Sequence, residues 1–105
     1  MKKTVALVAG AAVLSLGLIS NATAGGADLY KSKTCFSCHG ADAQTPIMPI
    51  YPKLAGQSAD YAYNQMMDIK SGKRSNGQSA AMKAVMGMVS DSEAKEIAEW
   101  LATQK

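Results

Sequence analysis

The sequence Cys35-Phe36-Ser37-Cys38-His39 contains both cysteines and the single histidine of this 105-residue chain. A C-x-x-C-H run is the attachment signal of c-type haem, because thiols three positions apart can each form a thioether with one haem vinyl group. The histidine that follows is then held beneath the iron as its proximal ligand. We therefore expect Cys35 and Cys38 to attach one haem covalently and His39 to ligate its iron.

Two other interpretations of the cysteine pair require features that the sequence lacks. A thiol oxidoreductase presents C-x-x-C beside a βαβ pattern, and no strand pattern surrounds Cys35. A structural zinc site takes about four nitrogen or sulfur ligands, whereas this motif offers Cys35, Cys38 and His39. Covalent haem c therefore explains the motif better than a redox dithiol or a bare metal site.

Residues 1–24 have the pattern of a secretory signal peptide. Two lysines precede an apolar run at residues 5–19, and Ala-Thr-Ala at residues 22–24 supplies a small-residue cleavage site. The apolar run is shorter than the roughly 20 residues of a membrane span, although retention as an anchor is the alternative. We expect cleavage after Ala24, a periplasmic location, no stable membrane insertion, and one mature domain over residues 25–105.

The predicted mature domain is small, so its polypeptide core alone gives marginal stability. A covalent haem would add a large apolar surface against which side chains can pack. The chain has 11 basic and 8 acidic residues, and two of the basic residues lie in the predicted signal. Because the mature charge is nearly balanced, we expect no nucleic-acid partner.

Hydrophobic periodicity predicts an all-α domain of about three main helices, without an alternating pattern long enough for a strand. The first helix is predicted at about residues 27–34, and the second at residues 58–72 with Ser58 as its N-cap. The third is predicted at residues 91–103, because residues 90–93 (Ser-Asp-Ser-Glu) form a capping box. Between the first two, three prolines predict a wrapping loop.

The first and last helices are expected to cross closely. Gly26 and Tyr30 lie four residues apart, so a neighbouring helix could approach at the glycine and stack on the tyrosine ring. Trp100 lies at the edge of the apolar stripe of the last helix. We expect it to pack on the Gly26/Tyr30 face rather than to act as an electron relay.

Five motifs occur in a fixed order along the mature chain. They are residues 35–40 (Cys-Phe-Ser-Cys-His-Gly), 52–57 (Pro-Lys-Leu-Ala-Gly-Gln), 68–74 (Asp-Ile-Lys-Ser-Gly-Lys-Arg), Met82, and 89–91 (Val-Ser-Asp). In this order the chain resembles the small bacterial class I c-type cytochromes, in particular the single-haem cytochrome c-553 group. The resemblance implies an all-α class I cytochrome c fold whose terminal helices cross near the haem edge.

The resemblance also implies roles for residues outside the haem motif. The Pro52 carbonyl would accept a hydrogen bond from His39 Nδ1, which fixes the imidazole and raises its basicity. Leu54 would pack on the haem face. The alternative for Pro52 is that it only stiffens the loop.

The second axial ligand is expected among the methionines, because the chain has no second histidine. Met66 and Met67 fall in the second predicted helix, where methionine usually fills a core, and Met48 lies in the proline loop. Met82, Met86 and Met88 precede the last helix, where the resemblance places the ligand.

If that segment is extended, at about 3.5 Å per residue, Met88 can lie at most roughly 7 Å from Ser90 and Met82 roughly 28 Å. The more distant methionine could therefore reach the iron face opposite His39. The resemblance selects Met82, which stands seven residues before the apolar residue preceding Ser-Asp. The competing interpretation is a helical turn over residues 80–88 with Met82 and Met86 both in the core.

An iron ligated on both sides offers no open position for a substrate, and no acid/base pair lies near the motif. We expect a monomeric, non-enzymatic electron carrier with His/Met ligation that contacts redox protein partners transiently. The alternative is a haem-based ligand sensor or a peroxidase-like protein with a labile distal ligand. Carbon monoxide binding by the ferrous protein would distinguish the two.

Overall fold

The computed structural model of the protein describes residues 25–105. The predicted signal peptide lies outside the described residues. Within residues 25–105 the chain forms helices and loops with no strand, which confirms the all-α prediction. The helices within these residues are α1 (residues 25–32), α2 (Phe36–His39), α3 (Ala59–Ser71), α4 (Ser79–Met86) and α5 (Asp91–Thr103).

The ends of α3 and α5 follow the predicted capping chemistry. The Ser58 hydroxyl accepts a hydrogen bond from the Tyr61 N–H at 3.3 Å, and α3 ends at Gly72, whose φ of 85° is left-handed. At α5, the Glu93 N–H donates to the Ser90 hydroxyl at 3.2 Å, and the Ser90 N–H donates to the Glu93 carboxylate at 2.9 Å. This reciprocal pair satisfies two backbone donors that a helix start leaves open.

The bounds of α1 differ from the predicted residues 27–34, because the chain is already helical at residue 25 and the helix ends at residue 32. Thr34 adopts a left-handed φ of 64°. The Thr34 N–H donates to the Lys31 carbonyl at 3.0 Å, and the Cys35 N–H donates to the Tyr30 carbonyl at 3.1 Å. These two bonds form a Schellman motif, in which glycine usually occupies the position of Thr34. The motif ends α1 and delivers the chain directly into Cys35.

The predicted crossing of α1 and α5 is confirmed. A Cβ atom on Gly26 would lie 2.6 Å from the Glu96 carbonyl oxygen and would collide with the Cβ of Trp100. The rings of Tyr30 and Trp100 pack in a tilted arrangement, with their centroids 5.0 Å apart and their planes inclined by 44°. The absence of a side chain at Gly26 therefore permits the close approach that brings these rings together.

The core is built mainly from α3, α4, α5 and the chain segments next to them. Its members are buried apolar side chains: Tyr30, Ala43, Met66, Ile69, Met86, Val89, Ala94, Ile97, Ala98 and Leu101. The loop over residues 40–57 is tied to this core through backbone bonds from Leu54 and Ala55 to the Ala43 carbonyl, at 2.9 and 3.1 Å. The Gly56 N–H donates to the Leu101 carbonyl at 3.0 Å and joins the loop to the end of α5.

The helix α4 contradicts the extended segment assumed in the reach estimate for the methionines. Ser79–Met86 is helical, so its backbone rises about 1.5 Å per residue rather than about 3.5 Å. The competing interpretation of a helical segment is the correct one for the backbone, although only Met86 of its two methionines is fully buried. No helix within residues 25–105 has the length and apolar character needed to span a bilayer.

Candidate haem site

The cysteine pair lies on a single helical turn. Cys35 has helical backbone angles and stands as the N-cap of α2, and the His39 N–H donates to the Cys35 carbonyl at 3.1 Å. Residues three apart face the same side of a helix, so Cys35 and Cys38 present their sulfurs to one side. Both thiols are free and partly buried. Burial raises the pKa of the Cys35 thiol, which favours its protonated form.

His39, at the end of the same turn, is buried and held by the loop. Its Nδ1–H donates to the Pro52 carbonyl at 2.9 Å, the hydrogen bond that the resemblance implies. Burial lowers the pKa of His39, and the bond to Pro52 opposes that shift. A neutral imidazole that carries its proton on Nδ1 has its lone pair on Nε2. His39 is therefore prepared to coordinate a metal through Nε2.

Gly40 and Tyr30 fix the end of the motif, and this arrangement was not anticipated from the sequence. Gly40 has a φ of 92°, and a Cβ at this position would collide with the Thr45 carbonyl. The Tyr30 hydroxyl donates to the Gly40 carbonyl at 2.6 Å. Burial, with smaller contributions from Cys35 and Asp42, raises the pKa of Tyr30 to about 12. A tyrosine on a buried helix face needs a partner for its hydroxyl, a signal that predicts a hydrogen bond but does not identify its acceptor.

The remaining predicted site residues come from two further parts of the chain. Leu54 follows Pro52 in the loop and packs, partly buried, against the core. Met82 lies on α4 and is also partly buried against the core. The structure thus joins His39 to Pro52 directly, places Leu54 two residues beyond that contact, and supplies Met82 from a separate helix.

The candidate methionines have different environments. Met86 is 2% exposed and belongs to the core, as does Met66, whereas Met88 is 60% exposed and Met48 is also exposed. Met82 is one turn before Met86 on α4 and lies at the edge of the core. Among Met82, Met86 and Met88, Met82 is the residue that is neither buried in the core nor largely exposed to solvent.

The donor set fits a c-type haem. It combines two free thiols on one side of a helical turn with an imidazole whose Nδ1 proton is already engaged. A sequence model of the family described as Cytochrome c matches residues 23–105. This chain belongs to the cytochrome c family. Membership implies covalently bound haem c, and Cys35 and Cys38 have the spacing that attaches it.

Three relatives show how far the similarity extends. Cytochrome c4 of Pseudomonas aeruginosa is 42% identical over 96 residues, which cover 89% of this chain and 46% of the relative. Cytochrome c-554(548) of Halomonas halodenitrificans is 38% identical over 75 residues, which cover 71% of this chain and 89% of the relative. Cytochrome c-553 of Nitratidesulfovibrio vulgaris is 30% identical over 102 residues, which cover 97% of this chain and 98% of the relative.

This cytochrome c spans about half the length of the cytochrome c4 relatives that it matches. It matches the c-553 relative over nearly its full length. Together with the all-helical structure, these matches confirm the resemblance to small class I c-type cytochromes and the predicted class I fold. The chain is therefore a haem-binding member of the cytochrome c family.

Proposed function

We propose that this cytochrome c is a periplasmic electron carrier whose haem iron is ligated by His39 and Met82. The observation that carries the proposal is the division among the methionines of the α4 region. Met86 is buried in the core and Met88 is 60% exposed, whereas Met82 is partly buried against the core, so we assign the ligand sulfur to Met82. Ligation on both sides excludes a substrate from the iron, so the proposed protein is not an enzyme.

The bound haem would supply a one-electron ferrous/ferric couple. The chain's own residues would set its properties. Pro52 holds the His39 ring in one orientation through the 2.9 Å bond, and a thioether such as that of Met82 raises the potential by favouring ferrous iron. Leu54 is proposed to line the haem face, where apolar packing would exclude water.

The ligand assignment is tested by replacing each methionine with leucine, which removes the sulfur and nearly conserves volume. Met82→Leu should abolish the ferric sulfur-to-iron charge-transfer band, lower the potential and allow ferrous carbon monoxide binding. Met86→Leu and Met88→Leu should retain the band and the closed iron. Retention of the band in Met82→Leu would refute the assignment, and its loss in Met86→Leu would transfer the role to that residue.

The wild-type protein itself separates the carrier from the sensor or peroxidase-like alternative. An electron carrier with two protein ligands should bind carbon monoxide slowly or not at all in its ferrous form at neutral pH. Rapid binding by the wild type, with no charge-transfer band in its ferric form, would favour the alternative and refute His/Met ligation.

Export and processing form a separate part of the proposal. Cleavage after Ala24 would make Gly25 the N-terminus, and the Glu96 carboxylate lies beside Gly25, where it would stabilise a new ammonium group. The intact mass of denatured periplasmic protein tests both cleavage and haem attachment. A mass equal to residues 25–105 without haem would refute the attachment at Cys35 and Cys38, and a mass that includes residues 1–24 would refute cleavage.

We further propose that the mature protein is a monomer that meets its redox partners transiently. Electron carriers must dissociate quickly, and their interfaces usually bury less than about 1,200 Å². Sedimentation of the holoprotein at increasing concentration tests the monomer. A stable dimer at micromolar concentration would contradict it.

A further inference from the structure

Lys70 makes two contacts with the chain segment that joins α4 to α5. From the last turn of α3, its ammonium group donates to the Val89 carbonyl at 2.6 Å. The same group lies 3.2 Å from a carboxylate oxygen of Asp91, in the first turn of α5. The carbonyl contact is partly buried, whereas the contact with Asp91 is exposed.

The Val89 carbonyl is continuous with α4 through backbone hydrogen bonds. The Val89 N–H donates to the Met86 carbonyl at 3.1 Å, and the Met88 N–H donates to the Val85 carbonyl at 3.0 Å. One residue earlier, the Gly87 N–H donates to the Lys83 carbonyl at 3.0 Å. Because Met82 lies on the same hydrogen-bonded helix, a movement of Val89 away from α3 would displace Met82 with it.

The two contacts of Lys70 differ in strength. An ion pair between exposed side chains contributes little, because water screens it and the side chains lose rotamer freedom. A hydrogen bond from a charged donor to a partly buried carbonyl is shorter and stronger than a bond between neutral groups. The bond to Val89 therefore contributes most of the restraint, and Asp91 keeps the ammonium group in place.

A second ion pair provides a comparison at the same end of α5. Lys33 lies 3.5 Å from the Glu93 carboxylate. This pair also joins the first turn of α5 to another part of the chain. The Glu93 carboxylate meets the segment before α5 at the Ser90 N–H, at 2.9 Å, and this capping bond does not depend on Lys33. Loss of Lys33 would thus remove a similar charge interaction without releasing α4.

We propose that Lys70 is a positioning residue for the distal axial ligand: by holding the Val89 carbonyl against α3, it keeps α4 in the place from which Met82 reaches the iron. The inference rests on the proposed ligation by Met82. Its consequence is that Lys70 controls how often the iron–sulfur bond opens, without touching the haem or the ligand.

The test measures how fast free imidazole replaces the distal ligand in the ferric holoprotein, followed by loss of the sulfur-to-iron charge-transfer band. Lys70→Met removes the ammonium group and keeps an apolar stem. Loss of one charge-assisted hydrogen bond should accelerate replacement about tenfold, which corresponds to about 1.4 kcal/mol. Lys70→Arg, which retains a charged donor, should restore most of the wild-type rate.

Two matched variants separate positioning from general stability. Lys33→Met should leave the imidazole rate within about twofold of wild type, because it breaks only the partly buried ion pair with Glu93 and leaves the bond from Lys70 to the Val89 carbonyl intact. Asp91→Asn should also change the rate less than Lys70→Met, because the bond to Val89 remains. Denaturant unfolding of each holoprotein would show whether the rate follows global stability.

Each outcome decides between the proposals. A wild-type protein without the charge-transfer band would refute ligation by Met82, and the inference on Lys70 with it. A wild-type band together with an unchanged rate in Lys70→Met would refute only the role of Lys70. Equal acceleration in Lys70→Met and Lys33→Met, in proportion to lost stability, would also refute it. If Lys70→Met does not incorporate haem, Lys70→Gln is judged by the same criteria.

Discussion

Replacement of Tyr30 by phenylalanine tests whether the tyrosine hydroxyl anchors the end of the haem motif. Tyr30 is 1% exposed, and its hydroxyl donates to the buried Gly40 carbonyl at 2.6 Å. Tyr30→Phe retains the ring that packs on Trp100 and removes only the donor. The substitution therefore isolates one hydrogen bond between α1 and the residue that follows His39.

The expected loss of stability follows from what remains at the Gly40 carbonyl. The Ala43 N–H also donates to this oxygen, at 3.2 Å, so the carbonyl keeps one partner. The substitution should therefore fall in the lower part of the range for a buried group that loses its partner, about 1–2 kcal/mol. For a domain of this size, each kcal/mol lowers the Tm by about 4–8 °C.

Guanidinium unfolding of the holoprotein, followed by circular dichroism, measures the change. The midpoint should decrease and the slope should stay constant, since the surface exposed on unfolding is unchanged. Tyr61→Phe is the matched control, because Tyr61 is 52% exposed and its substitution should change stability by less than about 0.5 kcal/mol. If the two variants are equally stable, the hydroxyl of Tyr30 does not anchor the motif.

The same variant should change how stability depends on alkaline pH. The pKa of Tyr30 is raised from 10.0 to about 12 in the folded chain. Between these values the unfolded chain loses the tyrosine proton and the folded chain keeps it, so stability falls as the pH rises. Tyr30→Phe should show a smaller decline over this range than wild type. An identical decline in both proteins would contradict burial of an ionisable hydroxyl.

The remaining predictions concern helix packing, capping and docking. Gly26→Ala should destabilise the holoprotein, because its Cβ would meet the backbone of α5 at Glu96. Gly25→Ala should not, because its Cβ would meet only the flexible Glu96 carboxylate. Equal stabilities of the two variants would refute the close crossing. Ser90→Ala should lower stability by about 1 kcal/mol through loss of the cap, and thermal unfolding unchanged from wild type would contradict it. Electron transfer to an acidic partner should slow as salt increases, because basic side chains predominate before α5 and α5 carries four acidic ones. A salt-independent rate with every partner would exclude a docking role for the basic residues before α5.

Local chemistry explains which parts of the fold could be predicted. The bounds of α3 and α5 follow from Ser58, Gly72 and the capping box at Ser90, since each acts within a few residues of its position. The helix α4 has no side-chain cap at Gln78 and extends for only 8 residues, so no local start signal marks it and it spans little more than two turns. The end of α1 escaped prediction because Thr34 occupies a left-handed position where glycine is usual.

In the haem site, too, adjacent residues could be predicted from the sequence, whereas contacts between distant residues could not. Cys35, Cys38 and His39 are adjacent in sequence, so their spacing alone predicts the chemistry of attachment. The contacts that orient them join distant residues: Pro52 reaches His39 across a loop, and Tyr30 reaches Gly40 across the Schellman motif and α2. No local pattern encodes such pairings. The resemblance to a family supplied the first of them, and the structure alone supplied the second.

The crossing of α1 and α5 brings together residues from the two ends of the described chain. Gly26 meets Trp100 only after nearly the whole domain has been synthesised, and closing a loop of this length delays contacts that stabilise the core. The buried side chains of Ile97 and Leu101 also belong to the last helix. We therefore expect that the N-terminal half does not fold by itself, because a chain that lacks α5 would lose both the crossing and much of the core.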